Sequence, residues 1–153
     1  MQIFEVEKQE LNFIESLLRE FYMDSDLFGI KKDEYDKNSV MKTLLFYFND
    51  QNYILKKVVE DDKIIGLFII AIIPNFLNFN HKACVEVLVR PVPNLNKIKK
   101  SRVMIKMFSE IEKIAKEKKC KQIQMFLERN NQCCDYLAKK GYNYNEIVMI
   151  RRF

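Results

Sequence analysis

Glycine is the scarcest structural residue in this chain, with three in 153 positions, at Gly29, Gly66 and Gly141. So few glycines leave no phosphate loop built from successive glycine amides. Histidine occurs once, as His81, and the four cysteines, Cys84, Cys120, Cys133 and Cys134, follow no zinc-ligand spacing. No metal site is therefore expected, and the thiols read as reduced and mostly buried in a cytoplasmic protein. The opening Met-Gln-Ile-Phe-Glu-Val-Glu-Lys lacks the basic start and apolar run of a signal peptide. The longest apolar run, 64–73, is too short to span a bilayer and reads as a buried strand. No repeat, linker or low-complexity tract interrupts the chain. What remains is ordinary: 48% hydrophobic and 31% charged residues, enough for one domain over 1–153 that buries a core without disulfides or metals.

Charge is divided unevenly. Residues 1–96 carry 11 Lys and Arg against 15 Asp and Glu, a balance of −4, and residues 97–153 carry 15 against 6, a balance of +9. A phosphorylated cofactor would go to the second half, and a cationic substrate is better tolerated by the first. Scattered solvated charge is the plainer reading of the same numbers. Nucleic acid is not an expected partner, because no aromatic residues are interleaved with the lysines and no reader motif is present.

Periodicity gives the element order. Residues 1–7 alternate as a strand, and Leu11, Ile14, Leu17, Leu18 and Phe21 recur at helical spacing over 9–23. A polar loop around Gly29 follows, then a second helix over 40–48 that Asn38 or Ser39 can cap. Strands over 53–60 and 63–73 flank Asp61-Asp62 and read as an antiparallel hairpin. Residues 74–80 form a loop with Phe76 and Phe79, and a strand over 82–90 ends at Pro91 and Pro93. A broad apolar face predicts a long helix over 101–118, then a strand over 121–127, a short helix over 131–140 stopped by Gly141, and a last strand over 146–152. The order is β-α-α-β-β-β-α-β-α-β, an α/β (α+β) fold with a mixed, mostly antiparallel sheet.

One stretch stands out, from Val85 to Cys120: an apolar strand, a proline turn, a basic segment and the long helix. Lys97, Lys99, Lys100, Ser101 and Arg102 gather where the strand feeds the helix. Unpaired amides and the helix dipole favour a phosphate at such a start, although a basic run is often only a solvated face. Glu86 is an acid inside an otherwise apolar strand. It is either a buried base with a raised pKa or a strand-edge glutamate facing solvent or a lysine.

These residues and their order resemble the GNAT N-acetyltransferase superfamily, over essentially the whole chain. Gly66-Leu-Phe after Asp-Asp-Lys-Ile-Ile, Glu86 before Val-Leu-Val-Arg-Pro, and Lys-Lys-Ser-Arg-Val are most similar to members encoded by tailed bacteriophages. In that family an Arg/Gln-x-x-Gly-x-Gly/Ala segment binds the pyrophosphate of acetyl-CoA. With Glu112 and Ala115 on their usual helix positions, Lys99 takes the first place, and Arg102 and Met104 stand where the glycines belong. The acetyl-CoA motif is thus degenerate, and Ser101, Arg102 and the lysines would have to compensate by charge and hydrogen bonds.

The family's second motif, Asn-x-x-Ala-x-x-x-Tyr-x-x-x-Gly-Phe, matches Asn130, Gly141 and Tyr142, with Cys133 for the alanine and Leu137 in the tyrosine's place. Tyr136, one residue earlier and about a hundred degrees around the helix, suits packing better, yet it is the nearest candidate to protonate a departing thiolate. The resemblance implies Glu86 as general base, the main chain at Leu88 and Val89 for the thioester carbonyl and pantetheine arm, and Asn130 for the pantetheine or a helix cap. It also implies acetyl-CoA as cosubstrate and a small-molecule or protein amine as acceptor, beside a cleft bordered by the first two helices and Phe76, Phe79 and His81. A homodimer is allowed, with no membrane partner. A phage-encoded copy would work in the host cytoplasm or the virion. The missing glycines and displaced tyrosine support a second reading, a GNAT fold that has lost catalysis and binds a partner.

Overall fold

A computed structural model describes residues 1–24, 35–75, 78–126 and 133–143. Among the described residues a five-stranded sheet runs in the order β1 to β5: β1 (Gln2–Glu5), β2 (Tyr53–Glu60), β3 (Lys63–Asn75), β4 (Asn78–Pro91) and β5 (Cys120–Gln124). The first three pairings are antiparallel, and β4 with β5 is parallel. A parallel neighbour needs a crossover, and α3 (Lys97–Glu117) supplies it. The other helices are α1 (Leu11–Asp24), α2 (Lys37–Asn49) and α4 (Cys133–Lys139).

Each sheet face has its own core. On one, Val103, Met107, Phe108 and Ile111 of α3 and Leu137 of α4 pack on Phe68, Ile70, Cys84 and Val89. On the other, Leu11, Ile14, Leu17 and Phe21 of α1 and Leu44 of α2 pack on Leu55, Leu67, Ile69 and Leu88. The alternation of β3, with Leu67 and Ile69 on one face and Phe68 and Ile70 on the other, is what lets one strand feed both layers. On the α1 side lies the buried carboxylate of Glu15, 1% exposed, which accepts a hydrogen bond from the Tyr35 hydroxyl at 2.7 Å and has the Lys37 ammonium at 3.6 Å. Burial and the Glu15 carboxylate together raise the Tyr35 phenol's pKa.

Several boundaries differ from expectation. A 3-10 turn (Lys8–Glu10) precedes α1. The cap of α2 is Asp36, which accepts hydrogen bonds from the Asn38 amide and the Ser39 hydroxyl, the two residues expected to cap. The expected loop at 74–80 is mostly strand, since β3 runs through Pro74, paired with Lys82. Proline is tolerated there because β2 pairs with β3 only as far as Ala71, leaving that edge open. The helix expected from residue 101 begins at Lys97, because the Asn96 side chain accepts the Lys99 amide at 2.9 Å and caps it. The described elements therefore differ from the expected order by that added turn and run as far as α4. The loop around Gly29 and the last strand at 146–152 lie outside the described residues.

Candidate functional site

The centre of interest is the second half of β4. Leu88 lies opposite Ile69 and Glu86 opposite Ile70, so Val87 is an extra residue, a β-bulge. Strict alternation would put residues 84, 86 and 88 on one face. The bulge instead sends Leu88, 8% exposed, to the α1 side and Val89, fully buried, to the α3 side. Val87 itself is exposed. The ladder between β4 and β5 ends at Val85 and Gln124, so the strands part here among the described residues.

Glu86 occupies the parting. Its carboxylate accepts the Phe126 amide at 2.8 Å, a side chain standing where a main-chain rung would have been. The side chain is 8% exposed, and burial pushes its carboxyl pKa up to about 7, against the Phe126 amide, the Arg90 charge and the Val89 amide, which favour ionisation. Of the two readings of Glu86, buried acid or solvent-facing edge residue, the structure has the buried acid.

The basic helix start is arranged differently from its sequence order. The first intrahelical bond of α3 runs from the Lys100 amide to the Asn96 carbonyl at 2.9 Å, so the Lys97 and Ile98 amides lie in the open first turn. The Lys99 ammonium pairs with the Glu60 carboxylate at the β2 end. A hydrogen bond from Lys99 first, then the charges of Lys99, the chain's amino terminus and Arg102, hold that carboxyl below the usual range. Ser101 turns its hydroxyl back to the Lys97 carbonyl at 3.1 Å. Met104 is buried in the α3 core, so only Arg102 of the two glycine-matched positions reaches solvent. Gly66 pairs with Pro91, which brings the β2–β3 turn, the end of β4 and the start of α3 to one end of the sheet.

In α4, Leu137 is buried in the core and Tyr136 is half-buried with the Lys140 ammonium 5.6 Å from its ring centre. Asn130 and Phe76 lie outside the described residues. Phe79 is exposed and His81 likewise. Three features escaped the sequence reading: the bulge at Val87, the Phe126 amide and the Glu60 partner of Lys99. Only the bulge left a trace in sequence, as the run Val87-Leu88-Val89 that breaks alternation. Burial raises the thiol pKa of Cys84 to about 12 and also raises that of Cys133, which makes both poor nucleophiles. Among the described residues no group of three or more His, Cys, Asp or Glu could hold a metal, and no helix is long and apolar enough to cross a membrane.

No family model matches the sequence, and no curated protein does. Solved structures do match in shape. A transcriptional regulator from Bacillus halodurans C-125 superposes with a TM-score of 0.75 at 17% identity, covering 99% of each chain. A predicted acetyltransferase with acetyl-CoA from Clostridium acetobutylicum gives 0.75 at 13% identity, covering 99% of this chain and 95% of that one. A GNAT family acetyltransferase from Staphylococcus aureus gives 0.69 at 17%, covering 100% of each. Over its full length, the chain has the fold of the GNAT acetyltransferases.

Proposed function

We propose that this chain is an acetyl-CoA-dependent N-acetyltransferase that acts on a primary amine of a small molecule or protein. The observation that carries the reading is Glu86, a buried carboxyl with a pKa of about 7 at the point where β4 and β5 part. An ammonium acceptor must lose a proton before its nitrogen can attack a thioester, and a base with a pKa near the working pH does this best. Glu86 takes that proton. The amine nitrogen then bonds to the acetyl carbon, the C–S bond breaks, and the thiolate takes a proton from water or from Tyr136, which the second proton shed by the nitrogen as it becomes an amide replaces. By the family resemblance, the main chain around Leu88 and Val89, along the open edge of β4, would take the thioester carbonyl and the pantetheine arm.

The phosphates would sit at the start of α3, on the Lys97 and Ile98 amides and the side chains of Lys97, Lys100, Ser101 and Arg102, with Asn130 toward the pantetheine. Residues present at the helix start suit an anion, in charge and in open amides. Lys99 contributes less than its neighbours while Glu60 holds it. Calorimetry with acetyl-CoA is expected to give a dissociation constant between about 1 µM and 1 mM, the usual span for substrates. No heat at millimolar acetyl-CoA would overturn the reading. Glu60→Gln frees Lys99 and removes a competing carboxylate, so it should tighten acetyl-CoA binding about two- to fivefold at low salt. An unchanged or weaker constant would show that the Lys99 charge does not reach the site.

A second reading has its own support. The second turn of α3 carries Arg102 and Met104 in place of glycines, and a buried leucine stands where the family's tyrosine would be. Both fit a catalytically inactive GNAT fold that binds a partner, which includes a phage-derived structural protein. It predicts no acetyl-CoA binding and a stable protein complex in pull-down.

A further inference from the structure

Outside the cleft, one side-chain cluster is not used by the chemistry above. Glu112 of α3, with its side chain 18% exposed, accepts the Lys140 ammonium on Oε2 at 3.0 Å and the Tyr142 hydroxyl on Oε1 at 3.4 Å. Both partners come from the turn that ends α4. That turn is closed by main-chain bonds from the Lys140 and Tyr142 amides to the Leu137 carbonyl, at 2.9 and 3.1 Å, and from the Gly141 amide to the Ala138 carbonyl at 3.0 Å. Gly141 sits at φ 90, a conformation side chains resist, and so lets Lys140 and Tyr142 converge on one carboxylate. The same Lys140 ammonium lies over the Tyr136 ring. One glutamate thus ties down the end of α4 and, through Lys140, covers its half-buried tyrosine.

The helix being held needs such a clamp. α4 has seven residues, too few to be stable by itself. Its buried residues Cys133 and Leu137 join the apolar cluster that contains Ile70, Cys84 and Val89, the strand residues around Glu86. Movement of α4 would therefore reshape the wall on the Glu86 side of the cleft.

We propose that Glu112 is a positioning residue: by gathering Lys140 and Tyr142 it fixes α4 against α3 and so sets the shape of the acetyl-CoA arm's site. This rests on the acetyltransferase reading. It assigns Glu112 no contact with either substrate.

The test uses the full chain with Glu112→Ala, Glu112→Gln and Lys140→Met, and with Glu117→Gln as a control that removes the exposed Lys113 pair elsewhere on α3. Amide exchange and acetyl-CoA calorimetry are measured on each. In Glu112→Ala, exchange at the Lys140–Tyr142 turn should quicken about tenfold while that of Met107 and Phe108 stays as in the parent, and the acetyl-CoA constant should weaken about tenfold. Glu112→Gln keeps an acceptor for Tyr142 but loses the ion pair, and should fall between, as should Lys140→Met. The control should match the parent. Two results overturn the proposal: unchanged exchange at the turn, or quickened exchange with unchanged acetyl-CoA affinity. If the parent itself binds no acetyl-CoA, the acetyltransferase reading fails first, and the parent measurement alone reveals that.

Discussion

Glu86→Gln should lower kcat/KM about 10²- to 10⁴-fold, the range for loss of a general base, and should at the same time make the protein more stable at pH 8. A glutamine keeps the shape and an acceptor for the Phe126 amide, yet cannot take a proton from the acceptor ammonium. In the parent, kcat/KM is expected to rise with pH through about 7 as Glu86 ionises. Stability changes in the opposite direction. The folded carboxyl titrates near 7 against an ordinary value of 4.5, so the fold prefers the protonated form. The stability this provides is fully present below about 4.5 and is lost as pH rises through about 7, a swing of up to about 3 kcal/mol. Glu86→Gln should flatten that decline, which urea unfolding at pH 5 and pH 8 would show. Retained turnover in Glu86→Gln excludes Glu86 as the base, and an unchanged pH slope means that the carboxyl is not buried as described.

The second large effect is expected at Gly66. A methyl group there would lie 2.6 Å from Val103 Cγ1, with Met107 Sδ and Val58 Cγ2 each at 3.4 Å. Val103 is fully buried and β-branched, so its rotamer on α3 cannot swing clear. The helix must lift from β3 instead. Gly66→Ala should cost about 1 to 3 kcal/mol by overpacking and lower the melting temperature by roughly 4 to 10 °C. Val103→Ala alone also destabilises, by opening a cavity, but in combination it should recover about 1 kcal/mol of the Gly66→Ala loss. Strict additivity of the two in thermal melts would mean that α3 and β3 do not touch there. Gly66 thus fixes how closely the start of α3 approaches the sheet.

Much of this fold could be read from periodicity. The helical spacing of Leu11, Ile14, Leu17 and Phe21 and the broad apolar face of α3 gave the helices, and the Asp61-Asp62 turn, with φ of 51 and 58, closes the hairpin expected of it. What escaped depends on neighbours. Pro74 could stay in a strand only because β2 stops short of it, and the α3 start moved to Lys97 because Asn96 folds its side chain over the first turn. The site divides the same way. Glu86 was visible as a lone acid in an apolar strand. The partner of Lys99 is 39 positions away at Glu60, and the amide that meets Glu86 belongs to the main chain of Phe126, where no residue type could betray it.

The bulge at Val87 also determines which kinds of inherited change β4 can absorb. Up to Glu86 the strand keeps one phase, and from Leu88 it keeps the other, so each half supplies the correct side chains to two separate cores. Point substitutions leave that phase intact. Loss of a single codon at the bulge would leave Glu86, Leu88 and Val89 in plain alternation opposite Ile70, Ile69 and Phe68, so both cores would keep their side chains, whereas a loss elsewhere in the strand would exchange its faces. The bulge is therefore a point at which β4 can be shortened by one residue without exchanging its two layers, and the rest of the strand is held more strictly to its length.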